Sequence, residues 1–330
     1  MDIKTKVKEI LWRSPAKLYT SFFYFYKVRR GFRIYQNLLN GSSSESQLML
    51  CPYKGTGDVY LAVALLPQYI KEHNIQSLQL IVVGGGNKKV AELFGIENVQ
   101  AINQHDMDLL VRFLMFAGIK ESGAYILHPD APVMYTGICD RLRNYNSLNF
   151  MDMYAKVLYG FKKYKISTPD FSDETDEVDA IFEKYSLKKG KTVLLAPYSY
   201  TLNGIPGWVW DKLSAELKES GYSVCTNCGN SFENAIDGTI RVEIPYLLLK
   251  SFLETAGYFI GVRSGLCEMI SSIRCRKIFI YQPYLFWGAG TNFDYFNMRD
   301  MGLCNDAVEI EYQGIEFIQL IDTIMDGLQD

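Results

Sequence analysis

Three short stretches hold the residue types that could do chemistry. In KGTGD, residues 54–58, two glycines and an acid lie where one apolar run, residues 48–51, gives way to the next. Gly55 and Gly57 let the backbone turn tightly and come close to a ligand, with Thr56 between them. Asp58 then has two readings. It is a carboxylate placed where a helix start welcomes one, or a general base at the mouth of a cleft, able to take the proton of an attacking hydroxyl. In APYSYTLNGIPGW, residues 196–208, Ser199, Tyr200, Thr201 and Asn203 crowd a strand end with hydroxyl and amide groups. They can hold a phosphate or stabilise an ordinary polar turn. In YFIGVRSGLCEM, residues 258–269, Arg263 ends an apolar strand and Ser264 stands where it can cap the next helix. The free N–H groups after it, around Gly265 and Leu266, favour an anion. Arg263 could add a bidentate phosphate contact, and Glu268, one turn on, could accept from ribose hydroxyls. The alternative is a plain cap with Arg263 in a surface ion pair.

Other candidates are weaker. His128 in YILHPDAP ends a strand, where it either meets an acceptor or makes a local hydrogen bond. Asp106 and Asp108 match an acid-x-acid metal pattern but read better as charge at a helix start. His73 and His105 read as surface residues. Cys225 and Cys228 form a lone C-x-x-C with no second pair or nearby histidine, which argues against zinc. Seven cysteines is an odd number, which fits reduced thiols. No metal site and no cofactor are expected. The glycine spacing is not G-x-G-x-x-G, so a dinucleotide fingerprint is absent.

These residues need a frame that brings strand ends together. Short apolar runs alternate with helical patterns, first over residues 47–165 and again over 180–312. Such alternation implies parallel sheets covered on both faces. The polar, acidic segment 166–179, with Pro169, reads as the linker between the two units, and residues 313–330 as a closing helix. The fold class is α/β, with two Rossmann-like domains facing a central cleft and ligands outside the carboxyl ends of the strands.

Charge is nearly balanced over the 330 residues, with 34 basic and 37 acidic side chains. That argues against a nucleic-acid-coating protein. Residues 1–40, however, carry nine basic side chains against two acids, along with the cluster SFFYFYKVRRGF. Rings and cations together suit an anionic membrane surface or a seam against the protein itself. With the polar stretch NGSSSESQ after it, the segment 1–46 reads as a basic aromatic arm and linker, ahead of the first domain. No apolar run reaches the roughly 20 residues that span a bilayer, and the start lacks a secretory signal pattern. The expected location is cytoplasmic, with peripheral attachment to the inner face of the membrane as an open alternative.

The three stretches in order resemble glycosyltransferase family 9, the heptosyltransferase-like enzymes. KGTGDVYLAVALL resembles the family's opening motif. VLLAPYSYTLNGIPGWVWDKLSAEL resembles its second-domain entry, and LLLKSFLETAGYFIGVRSGLCEMISSIRCRKIFIYQP its serine/threonine–glycine–leucine stretch, over roughly residues 48–325. The resemblance implies a GT-B fold and metal-independent transfer with inversion. It also implies a nucleotide-sugar donor held by the second domain and a glycan or lipid-linked acceptor, as in the synthesis of bacterial surface glycans such as lipopolysaccharide or capsule. The family's proposed base falls on Asp58. The position before the serine–glycine pair, an aspartate in the family, is Arg263 here; a family histidine further on is Glu268, and the lysine before the tryptophan is absent. The donor sugar therefore stays open. A nucleotide-sugar epimerase and a non-catalytic sugar-binding partner remain as other classes.

Overall fold

The computed structural model describes residues 15–40, 46–118, 123–129, 148–199, 205–282, 291–312 and 316–329. The first lobe contains α1 (Pro15–Asn40), β1 (Gln47–Leu50), α2 (Thr56–Glu72), β2 (Leu78–Val83), α3 (Gly84–Glu92), β3 (Val99–Ile102), α4 (Gln104–Ala117) and β4 (Ala124–Ile126). A short helix α5 (Phe150–Asp152) runs on into a π-helical turn, Met153–Leu158. The second lobe contains α6 (Asp176–Lys184), β5 (Thr192–Ala196), α7 (Gly207–Glu219), β6 (Ser223–Asn227), β7 (Ile240–Val242) and α8 (Leu249–Ala256). It continues with β8 (Gly257–Val262), α9 (Gly265–Ile270), β9 (Arg276–Tyr281), α10 (Asn292–Phe296), β10 (Ala307–Glu311) and α11 (Phe317–Gly327).

Every strand pair is parallel. The first sheet runs β3-β2-β1-β4 and the second β7-β6-β5-β8-β9-β10. Both orders start at a central strand, grow outward to one side, then cross to the other. The crevice of such a sheet opens beside that central strand, between β1 and β4 in one lobe and between β5 and β8 in the other. The four loops leaving these strands are those that carry Asp58, His128, Ser199 and Arg263.

Alternation along the strands sets the layers. Met49 faces a core shared with α2, while Leu48 and Leu50 face a separate core under α4. In the second lobe Leu194 joins the first of these cores, and Val193 and Leu195 pack against α7 and α11. The first core is continuous across the lobes, because α2 lies against α9: Tyr60, fully buried, has its hydroxyl 3.4 Å from Ser271 Oγ. The chain crosses between lobes where the Ser167 and Asp170 amides bond first-lobe carbonyls and the Ser172 amide bonds Leu247 O.

The glycines after β2 open α3 at Gly84, with φ +80°. One expectation changes. The basic arm is not a module standing apart. Helix α1 lies along α4, with Val28 and Leu38 buried and Leu38 inside the core of the first sheet. Gly31 makes this close approach possible, since a Cβ there would sit 2.0 Å from Leu109 O. Phe32 and Tyr35 pack on Phe113, with ring centres 5.2 and 5.3 Å away. The aromatics at 22–26 nevertheless stay exposed. Most of the NGSSSESQ stretch lies outside the described residues.

Candidate active site

Buried Cys51 follows strand β1, and helix α2 starts five residues later, so Asp58 occupies the third helical position at the cleft. Its hydrogen bond comes from elsewhere in the lobe: the Tyr154 hydroxyl donates to Asp58 Oδ1 at 3.2 Å. His128 Nε2 stands 3.6 Å from the same oxygen. The Asp58 side chain is 30% exposed and that of His128 only 7%. Burial, then the Asp58 charge, push the Tyr154 phenol well above its ordinary value, so it remains a donor. The same two causes raise the Cys51 thiol, which makes it inert. The His128 ring packs on Tyr53, with centres 4.1 Å apart, which fixes its plane. This triangle gives the Asp58 carboxylate a fixed direction and leaves it an open face, as a base requires.

Arg263 and Glu268 differ from expectation. They are not a surface pair: they bond each other, buried, in the wall of the cleft. Arg263 Nη1 donates to Glu268 Oε2 at 2.7 Å and Nη2 to Oε1 at 2.6 Å, with the side chains 6% and 4% exposed. Nε bonds Phe296 O and Nη1 also bonds Ser264 O. Burial works against the Arg263 charge, but the Glu268 carboxylate outweighs it and holds the guanidinium above its ordinary value. Two of the three positions at which this chain departs from the pattern it resembles thus answer each other. Ser264 differs as well: it stands at the N-cap of α9 with extended backbone, but its hydroxyl makes no capping bond.

The glycines serve contact between lobes. A Cβ on Gly265 would stand 2.6 Å from Gly57 N and 2.8 Å from Thr56 Cβ. A Cβ on Gly57 would meet Glu268 Oε1 at 2.9 Å, and one on Gly55 would meet Asp58 Oδ2 at 2.5 Å. The starts of α2 and α9 therefore touch backbone to backbone. Beside them opens a cavity of about 670 Å³, within the range of ligand pockets.

That cavity brings together most of the residues singled out in sequence. Gly55, Thr56, Gly57, Asp58 and His128 line it from the first lobe; Ser199, Arg263, Ser264, Gly265, Leu266 and Glu268 line it from the second. Tyr200, Thr201 and Asn203 lie outside the described residues. Asp106 and Asp108 are in no such site: Asn103 caps α4 through the Asp106 amide, and Gln104 bonds Asp108. Cys225 and Cys228 are buried free thiols, the first pushed by burial up to about 12. His73 and His105 are exposed. Tyr154, Phe150, Phe296, Asn227 and Asn292 were not singled out in sequence, yet all but Tyr154 line the cavity and Tyr154 holds its carboxylate. None follows a glycine or ends a predicted helical stretch, so no local pattern marked them.

No protein-family model matches the chain, and no curated protein sequence matches it. Solved structures do. The chain is similar to the ADP-heptose LPS heptosyltransferase II of E. coli at 12% identity, with a TM-score of 0.57, over 86% of this chain and 98% of that one. A family 9 glycosyltransferase of Veillonella parvula gives 13% identity and a TM-score of 0.56, over 86% and 97%. The E. coli heptosyltransferase WaaC with ADP gives 11% and 0.51, over 86% and 98%. At such identities the likeness speaks for architecture: two parallel sheets face each other across a cleft in the GT-B arrangement of these glycosyltransferases.

Proposed function

We propose that the protein is an inverting glycosyltransferase that moves a sugar from a nucleotide-sugar donor to a hydroxyl of a glycan or lipid-linked acceptor. The observation that carries this reading is the Asp58 carboxylate, held by Tyr154 and faced by buried His128, at the rim of the cleft between the lobes. Asp58 takes the proton of the acceptor hydroxyl as that oxygen attacks the anomeric carbon, from the side opposite the leaving diphosphate. Tyr154 and His128 aim the carboxylate. Negative charge grows on the diphosphate across the cleft, where the first amides of α9 and the Ser199 loop supply donors; fixed donors there lower the barrier. Arg263 acts on this site through Glu268 and through Ser264 O, as a buried support. The GT-B fold shared with a heptosyltransferase that holds ADP favours a nucleotide-linked donor.

Synthesis of a bacterial surface glycan suits the same reading. No helix among the described residues is long and apolar enough to cross a membrane. The exposed rings of Phe22, Phe23, Tyr24, Phe25 and Tyr26 on α1, close to Arg29 and Arg33, suit peripheral attachment to an anionic surface.

The test is Asp58→Asn, which keeps shape and removes basicity. Transfer should fall by about 10² or more, the usual range for a lost general base, while donor affinity stays near that of the parent. Turnover close to normal would leave Asp58 as a helix-start charge and remove the mechanism.

A further inference from the structure

Helix α10 lines part of the second-lobe side of the cavity, and nearly every polar group on it and on the turn after it is satisfied. Thr291 and Asp294 close a reciprocal cap, and Thr291 Oγ1 also donates to Glu311 at 2.9 Å. Asn297 Nδ2 bonds Phe293 O and Asp300, and the Met298 and Arg299 amides both donate to Glu309. Arg263 Nε fastens Phe296 O from beneath. Asn292 is the exception. It is 5% exposed and lines the cavity, and its Nδ2 has no hydrogen-bond partner among the described residues. A buried amide left unpaired destabilises a protein, so native structures seldom keep one without a use for it. The neighbouring bonds hold the backbone that carries this amide in place.

What lies between Asn292 and the base defines the use. One turn along, Phe296 packs against Phe150, with ring centres 4.6 Å apart. Phe150 meets Tyr154 edge-on at 5.3 Å, and Tyr154 donates to Asp58. An aromatic wall therefore runs from the unpaired amide to the base, apolar along its length and polar at both ends. Ligand pockets commonly have this form, with apolar walls for area and a few fixed polar groups for orientation. A sugar ring has the matching surface: a C–H face for the wall and hydroxyl oxygens for a donor at its edge.

We propose that Asn292 is a specificity-determining residue whose Nδ2 donates to an oxygen of the sugar being transferred, with Phe150 and Phe296 as the wall against which that sugar rests. This rests on the glycosyltransferase reading and names the part of the donor that this corner of the cleft takes. A site built to bond a ligand oxygen discriminates strongly against ligands that lack it, because its own polar group is then stranded.

The experiment is titration calorimetry of the full chain with UDP, ADP, GDP and CDP, each beside UDP-glucose, UDP-N-acetylglucosamine, ADP-glucose, GDP-mannose and CDP-glucose. It is run on the parent, Asn292→Leu and Asn292→Ala, with melting curves for each. For the nucleotide that binds, both variants should weaken the sugar conjugate at least ~10-fold and leave the bare diphosphate within about twofold. The melting temperature of Asn292→Leu, which keeps the branched outline of the parent side chain, should hold or rise. Equal losses for conjugate and diphosphate, no loss for either, or a clearly lower melting temperature for Asn292→Leu would overturn the assignment while nucleotide binding survives. Binding of no nucleotide and no conjugate by the parent would overturn the glycosyltransferase reading, and the assignment with it.

Discussion

Glu268→Gln isolates the buried ion pair from everything else in the cleft. The substitution preserves volume and leaves one acceptor oxygen, but it removes the charge opposite Arg263 and turns an NH₂ group toward the guanidinium. Two charge-assisted bonds of 2.7 and 2.6 Å are at stake, each worth about 1.5–3 kcal/mol. Breaking a buried pair from one side costs roughly 3–5 kcal/mol, because the remaining charge is left uncompensated. Retention of one acceptor argues for the lower end, about 3 kcal/mol. For a lobe of this size, each kcal/mol moves the melting temperature by about 2–4 °C, so a drop of roughly 6–12 °C is expected. The assay is thermal unfolding followed by circular dichroism at neutral pH, with Arg263→Met/Glu268→Leu as the companion. Replacing both charges by apolar groups is often neutral or stabilising, so the double variant should melt near the parent although its cleft is altered. A single-variant drop below about 2 °C, or a double variant as damaged as the sum of the singles, would refute the closed pair. Arg263 would then be free to reach a phosphate, as its place at a strand end suggests in sequence.

Three further outcomes test other parts of the molecule. Deleting residues 1–40 should yield a chain that melts far lower or precipitates, since burial of Val28 and Leu38 is lost, roughly 3–6 kcal/mol together; a well-folded truncated protein would return α1 to a separate arm. In the full chain, Phe22→Ser with Phe25→Ser should reduce sedimentation with phosphatidylserine vesicles without changing the fold, and unchanged sedimentation would remove the membrane reading. At the far end of the second sheet, burial opposes the Asp306 charge, but a Cys304 S–H donor and Lys277 outweigh it and hold the carboxyl below the ordinary 3.8. A depressed folded pKa adds stability that is fully present above the ordinary value and disappears as pH falls through the lower one. The melting gap between the parent and Asp306→Asn should therefore be widest near neutrality and close below about pH 3.8; a gap that stays constant into acid would refute the pairing.

Much of this architecture was legible because parallel strands buried on both faces announce themselves as apolar runs. QLML, TVLLA and YFIGV each became a strand where the pattern placed it, and the residues after them reached one cleft. Edge strands were harder: β7 has three residues, and β10, AVEIE, mixes acids into its pattern, so neither stood out. Tyr154 escaped notice for a physical reason. It lies in a π-helical turn far along the chain from Asp58, and its role comes from a tertiary contact that no spacing rule encodes. The arm misled because exposed aromatics and a polar stretch suggest independence, whereas the decisive groups were Gly31 and Leu38, small and apolar residues that look ordinary in sequence.

The glycines of KGTGD carry the deepest difference between reading and structure. In sequence they suggest a backbone that comes close to a ligand. In the structure the close neighbours are protein: Asp58 beside Gly55, Glu268 beside Gly57, and Gly57 itself beside Gly265. A side chain at any of the three would displace Asp58, the ion pair or the opposite lobe. The bareness of this loop thus serves to bring the first-lobe carboxylate and the second-lobe helix start against one another, and the cavity opens beside that contact. In the proposed transfer, a base on one lobe and charge-stabilising amides on the other act on the same substrate only if their separation is fixed. Three glycines and the buried Arg263–Glu268 pair fix it here, from two ends of the sequence more than 200 residues apart.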